Sequence, residues 1–113
     1  MAGRGAGRFV VVMITCDRGD TARAIARALV RSRAAACVSV YPKGESFYRW
    51  KGKMERAREH LLLAKTSMAG LPRLIREVEA LHHYEVPEVA AFPLVGGAGK
   101  YMRWLREEVC GNR

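Results

Sequence analysis

Two stretches of this chain offer no polar face. Phe9-Val10-Val11-Val12-Met13-Ile14-Thr15-Cys16 is a β-branched apolar run of the kind expected in a strand buried on both faces. In Leu61-Leu62-Leu63-Ala64-Lys65-Thr66, period-two alternation puts Leu61, Leu63 and Lys65 on one side and Leu62, Ala64 and Thr66 on the other. Both sides are apolar, so a sheet containing these strands must be covered twice. At 113 residues the chain is one domain's worth of core, with no room for a second.

The remaining periodicities supply the covering elements. Asp20 is placed to cap a helix whose Ala22, Ile25, Ala26, Leu29 and Val30 form an apolar stripe ending near Arg33. Ala35 to Tyr41 reads as a strand that Pro42 and Gly44 bend or interrupt, and that resumes through Ser46 to Trp50. Lys51-Gly52-Lys53 is a hairpin turn with glycine placed for positive φ, and the return strand runs from about Glu55 to Thr66. Ser67 and Pro72 punctuate a second helix start, with Leu71, Leu74, Ile75, Val78 and Leu81 as its stripe. Glu88 to Val95 is a further strand, held to an edge or bulge by Pro93. A last helix carries Tyr101, Trp104, Leu105 and Val109.

The order β-α-β-β-α-β-α is the ferredoxin-like βαββαβ pattern, an α+β class, with a C-terminal helix. Two helices cover one face of a four-stranded sheet. The other face is therefore expected to be buried by further copies of the chain, in a closed homo-oligomer.

Residues 1–8 form a Gly/Arg/Ala leader without an apolar segment, read as a disordered tail ahead of a single domain at 9–113. The formal net charge is +9, which raises the question of anionic partners. Arg23, Arg27 and Arg31 recur every four residues, but no aromatics interleave with them, so a solvated helix face is expected and nucleic acid is not. No apolar run approaches the roughly 20 residues needed to span a bilayer, which points to a cytoplasmic protein without a membrane partner. Cys16, Cys37 and Cys110 are widely spaced and odd in number, so neither a disulfide framework nor a zinc finger is indicated.

Two clusters carry chemistry. Ser46-Phe47-Tyr48-Arg49-Trp50-Lys51-Gly52 puts Ser46, Tyr48 and Trp50 on one strand face, and His82-His83-Tyr84-Glu85-Val86-Pro87-Glu88 ends the second helix with imidazoles, a phenol and carboxylates. If the fold joins them, they make a polar, aromatic-lined site. Adjacent histidines point in different directions, which makes it hard for His82 and His83 to share a metal; one of them with Glu88 and a cysteine is a ligand set for copper or zinc. A histidine charge favoured at a helix C-terminus is the competing reading. A buried Glu88 needs a partner, and Lys65 or Arg49 is the candidate. Cys37 sits among alanines, where packing is favoured over reactivity. Gly96-Gly97-Ala98-Gly99 reads as a flexible turn, and no P-loop, GxGxxG, HExxH or GxSxG motif is present.

From Phe9 to Val109 the chain resembles the divalent-cation tolerance family, CutA. The resemblance rests on Arg33-Ala34-Ala35-Ala36-Cys37-Val38, on Ser46 to Gly52, on Lys65-Thr66, on His82 to Val89, and on Tyr101-Met102-Arg103-Trp104-Leu105. It implies a homotrimer of ferredoxin-like subunits, similar to the PII signalling proteins, with the sheets packed inside. It further implies intersubunit clefts containing Cys37, Tyr48, Trp50, Lys65, His82, Tyr84, Glu88 and Trp104, and binding of copper or another divalent cation, with His82, Glu88 and Cys37 as ligands. No cofactor is required and no enzymatic activity is expected. The alternative is a PII-like signalling protein that binds a small anionic ligand or a partner protein, motivated by Lys65, Arg49 and the glycine-rich turn. Four positions depart from the family pattern: His83 stands where proline is usual, Ala34 where leucine is usual, and Ile14 and Leu81 where some bacterial members carry cysteine and histidine. Cys16 is the substitute thiol.

Overall fold

The structure, a computed structural model, describes residues 8–110 without the side chain of Cys110. It comprises β1 (Phe9–Cys16), α1 (Gly19–Arg31), β2 (Cys37–Trp50), β3 (Lys53–Ser67), α2 (Leu71–Leu81), β4 (Val89–Pro93) and α3 (Gly99–Cys110). The strands form one antiparallel sheet in the order β2-β3-β1-β4, the expected α+β architecture. Of the leader, residues 1–7 lie outside the described residues; the Arg8 carbonyl accepts the Met68 N–H at 2.7 Å.

β1 occupies the centre because it is apolar on both sides. Val10, Val12, Ile14 and Cys16 pack with Leu62 and Ala64 of β3 beneath Ala22, Ile25 and Leu29 of α1 and Leu74 and Val78 of α2. Each fully buried Val, Ile or Leu among them is worth about 1.5–3 kcal/mol. Arg23, Arg27 and Arg31 are exposed, as a solvated helix face requires. The N-cap of α1 is Arg18 rather than Asp20; Asp20 lies inside the first turn, where its carboxylate accepts the Thr21 N–H at 2.8 Å and meets the positive end of the helix dipole. The helix stops at Arg31, and Arg33, at φ 64°, reverses the chain.

The second strand is bent rather than interrupted at Pro42 and Gly44. Tyr41 pairs with Leu61 and Gly44 with Glu59, so β2 spends three steps where β3 spends two, a bulge of one residue. A Cβ on Gly44 would lie 2.7 Å from the Glu59 carbonyl oxygen, which is why glycine stands there. The bulge has a consequence for the side chains beyond it. Without it, Glu45, Phe47 and Arg49 would take the face of Glu59 and Leu61; with it, Ser46, Tyr48 and Trp50 take that face. The hairpin closes on Lys51 and Gly52, at φ 50° and 82°, the two positive angles of a tight primed turn.

The sheet's second face is only partly covered. α3 closes one end, where Leu105 packs on Phe9 and Ala36. Elsewhere the face is open, with Tyr41 51% and Phe92 46% exposed. β1 supports β3 only from His60 to Ser67, leaving Lys53 to Glu59 paired with β2 alone in a two-stranded ribbon. β4 is the short edge strand predicted from Pro93.

Candidate functional site

At the root of the ribbon lies a groove of about 710 Å³. β2 supplies Ser46, Tyr48 and Trp50 from one face, and the segment after α2 supplies Tyr84, Pro87 and Glu88. The two clusters singled out in the sequence therefore do meet. Between them stands Glu59, which the sequence reading passed over. It is only 6% exposed, and its carboxylate accepts the Tyr84 hydroxyl at 2.6 Å. Burial, reinforced by that bond, pushes the Tyr84 phenol well above its usual range, so it stays a donor. Its placement two residues before Leu61 on the same strand face was the available signal.

Glu88 is not buried and pairs with neither Lys65 nor Arg49. It accepts a 3.4 Å bond from Thr15 Oγ1, while Arg49 reaches the Gly52 carbonyl.

His82 sits behind the groove wall as the C-cap of α2, 8% exposed. Its Nε2 lies 2.6 Å from the Thr15 carbonyl oxygen, which can only accept, so the proton is on Nε2; Nδ1 then accepts the Tyr84 N–H at 3.2 Å. Nε2 thus ties the end of α2 to β1, while Nδ1 holds the turn that follows the helix. His83 turns toward β1 as well, with Nε2 2.7 Å from Asp17 Oδ1. The neighbouring histidines do not diverge as expected: although the chain leaves the helix at His82 in an extended conformation, their ring centroids are 5.4 Å apart. With Cys16 they bring three ligand atoms within 4.8 Å of one another. Burial raises the Cys16 thiol pKa, partly offset by hydrogen bonding to the Arg18 backbone.

The other predicted cleft residues lie at the opposite end of the second face. Cys37 pairs with Lys65, which pairs with Val11, whereas Leu61 pairs with Thr15; four residues of strand, about 13 Å, separate the two ends. Lys65 Nζ donates to the Tyr101 hydroxyl at 3.0 Å, a bond that raises the lysine pKa, and Cys37 Sγ lies 3.7 Å from the same oxygen. Trp104 stacks beside Tyr101, with centroids 5.7 Å apart. Within one chain, then, Tyr48, Trp50, Tyr84 and Glu88 form the groove with His82 behind it, while Cys37, Lys65 and Trp104 form a separate group. The expected ligands His82, Glu88 and Cys37 do not meet within one chain.

A family model described as CutA1 divalent ion tolerance protein matches residues 10–108. This chain belongs to that family. It is 47% identical over 97 residues to the divalent-cation tolerance protein CutA of Thermus thermophilus, covering 86% of this chain and 94% of that one. It is 40% identical to the chloroplastic protein CutA of Arabidopsis thaliana, across 86% of this chain and 53% of the relative. The solved divalent cation tolerance protein (Cut A1) of Thermus thermophilus superposes with a TM-score of 0.87 at 46% identity, covering 89% of this chain and 98% of that one. Among the described residues of this CutA1 family member, no helix is long and apolar enough to cross a membrane.

Proposed function

We propose that this protein contributes to divalent-cation tolerance by binding the ion itself, as a homotrimer, with copper the leading ligand and no catalytic step. The observation that carries the reading is the convergence of Cys16, His82 and His83, whose ligand atoms lie within 4.8 Å of one another. A thiolate with two imidazoles is a soft to borderline donor set, which suits copper and zinc over magnesium or calcium. Cys16 thus takes the role first expected of Cys37, and His83 that of Glu88. Binding requires the Thr15 and Asp17 bonds of the two rings to give way and the Cys16 proton to leave; because burial raises that thiol's pKa, affinity climbs with pH.

The trimer is supported by the open, apolar second face and by the ribbon. A two-stranded ribbon is marginal alone in water, and this one exposes Phe47, Tyr48 and Met54. Packing three copies round an axis covers these surfaces and sets the Cys37, Lys65 and Trp104 group of one subunit in a cleft against a neighbour. The free thiols of Cys16 and Cys37 fit a reducing compartment such as the cytoplasm.

The test is calorimetric titration of the metal-free protein with copper and with zinc under anaerobic conditions, beside Cys16→Ser and His83→Ala. One ion per chain, weakened at least about tenfold in both variants, is expected. Saturable binding that both variants leave intact removes the ligand assignment, and no saturable binding removes direct metal capture.

A further inference from the structure

All three histidines of the chain gather at one end of β1. His82 and His83 reach it from the end of α2, and His60 reaches it from the other side, directly opposite Cys16 in the β1–β3 ladder. His60, Leu62 and Ala64 share the strand face that the helices cover, so the His60 ring lies beneath the start of α1; a Cβ on Gly19 would stand 3.1 Å from its Nε2. The second face, which the proposed trimer covers, is the opposite side of the sheet.

His60 is also an anomaly of packing. The residue as a whole is half-buried, but its Nδ1 is shut off from solvent and, among the described residues, is the one buried side-chain nitrogen or oxygen without a hydrogen-bond partner. Burying a polar atom unpaired is costly and rare in folded proteins, and a bound ion is one of the few things that accounts for it.

The Cys16, His82 and His83 set lacks what His60 offers. Three ligand atoms within 4.8 Å of one another leave one corner of a tetrahedron open. Asp17 is taken by His83, for which it serves as the outer carboxylate that orients a ligating imidazole. His60 has a spare nitrogen. Residues directly opposite in an antiparallel ladder have Cβ atoms about 4.5–5.5 Å apart. A metal about 2.3 Å from the Cys16 sulfur therefore lies within reach of an imidazole nitrogen at about 2.0–2.1 Å, once the ring turns toward it. The convergence seen in the structure does not include His60, so that turn accompanies binding.

We infer that His60 is a fourth ligand of this site, closing a tetrahedral set of one thiolate and three imidazoles that admits zinc(II) and similar tetrahedral ions beside copper. The inference rests on the Cys16, His82 and His83 reading above. Without His60, the remaining trigonal set of one cysteine and two histidines suits copper, which tolerates a weak fourth ligand. His60 is thus the residue that sets selectivity.

The probe is cobalt(II), whose visible bands are intense in a tetrahedral field and weak in an octahedral one, and whose near-ultraviolet thiolate charge-transfer band reports Cys16. Zinc and copper are titrated beside it on the reduced full chain. His60→Phe keeps a ring of similar size and removes both nitrogens; its metal-free unfolding midpoint is the control for folding, and His60→Leu serves if phenylalanine is not accommodated. Zinc affinity should fall about tenfold or more and copper affinity less, while the cobalt complex keeps its thiolate band and loses its intense tetrahedral bands. Unchanged zinc affinity and cobalt bands, or copper weakened as much as zinc, overturns the inference. If Cys16→Ser and His83→Ala weaken zinc while His60→Phe does not, the three-ligand reading stands and this one falls; if none of the three matters, or the parent binds no metal, both fall.

Discussion

One strand serves two ends of the same sheet face, and the ends are chemical opposites. Glu59 and Lys65 both belong to the odd-numbered face of β3, yet Glu59 is buried with a phenol and two further carboxylates around its groove, while Lys65 stands half-exposed against Tyr101 and Cys37. The difference lies in what covers each end. A helix, α3, is laid over the lysine end through Leu105. At the glutamate end the cover is the strand's own neighbour, re-aimed by a bulge. Polarity along the strand therefore says less about a site than the element that closes over it.

The sharpest way to break the comparison is Leu105→Ala. Leu105 is fully buried against Phe9 and Ala36, and its truncation should cost about 2–5 kcal/mol in denaturant unfolding. Loosening α3 should disturb the Lys65–Tyr101 bond but leave the Trp50 environment unchanged; a Trp50 shift would mean the two ends are coupled. Next comes Gly44→Ala, where the new methyl would sit 2.7 Å from a backbone oxygen. A loss of about 1–3 kcal/mol is expected, with the Trp50 signal now changed and α3 unaffected. A silent Gly44→Ala would show that the bulge is not what builds the groove.

Tyr84→Phe removes the hydroxyl bonded to Glu59 and should cost about 1–3 kcal/mol, since it leaves a buried acceptor unfilled. Because folding raises the Tyr84 pKa, the folded state keeps its proton while the unfolded chain loses it; the phenol's share of stability is present below about pH 10 and declines as pH rises beyond it. Unfolding midpoints measured from pH 8 to 11 should therefore fall more steeply for the parent than for Tyr84→Phe, and parallel curves would remove the phenol from the account. Smallest of all, Tyr101→Phe breaks an exposed bond to Lys65 and should change stability by less than about 1 kcal/mol. A larger loss would mean that the lysine end is as tightly built as the groove.

Much of the site was readable residue by residue. The alternation at Ser46, Tyr48 and Trp50, and the polar cluster from His82 to Glu88, predicted an aromatic, polar site if the fold joined them, and both line or back the same groove. The proposed metal ligands were less legible. The family resemblance joined Cys37 and His82 as ligands, but they lie at opposite ends of the sheet, and Cys16 enters the proposal from being where β1 meets the end of α2. Adjacent histidines were expected to diverge on a helix or an extended segment; tertiary bonds to Thr15 and Asp17 instead draw both rings toward the end of β1.

By itself, the sequence determined the order of strands and helices, the central place of β1 and the need for a second cover over the sheet. Those follow from side-chain periods and β-branching, which act between residues a few positions apart. Tertiary structure alone decided that Glu59 is buried with no cation of the described residues in ion-pair reach and that His82 Nε2 is held by the Thr15 carbonyl. The first depends on a one-residue register shift that exchanges the faces of a strand, and the second on a bond between groups 67 positions apart, beyond the reach of any local pattern.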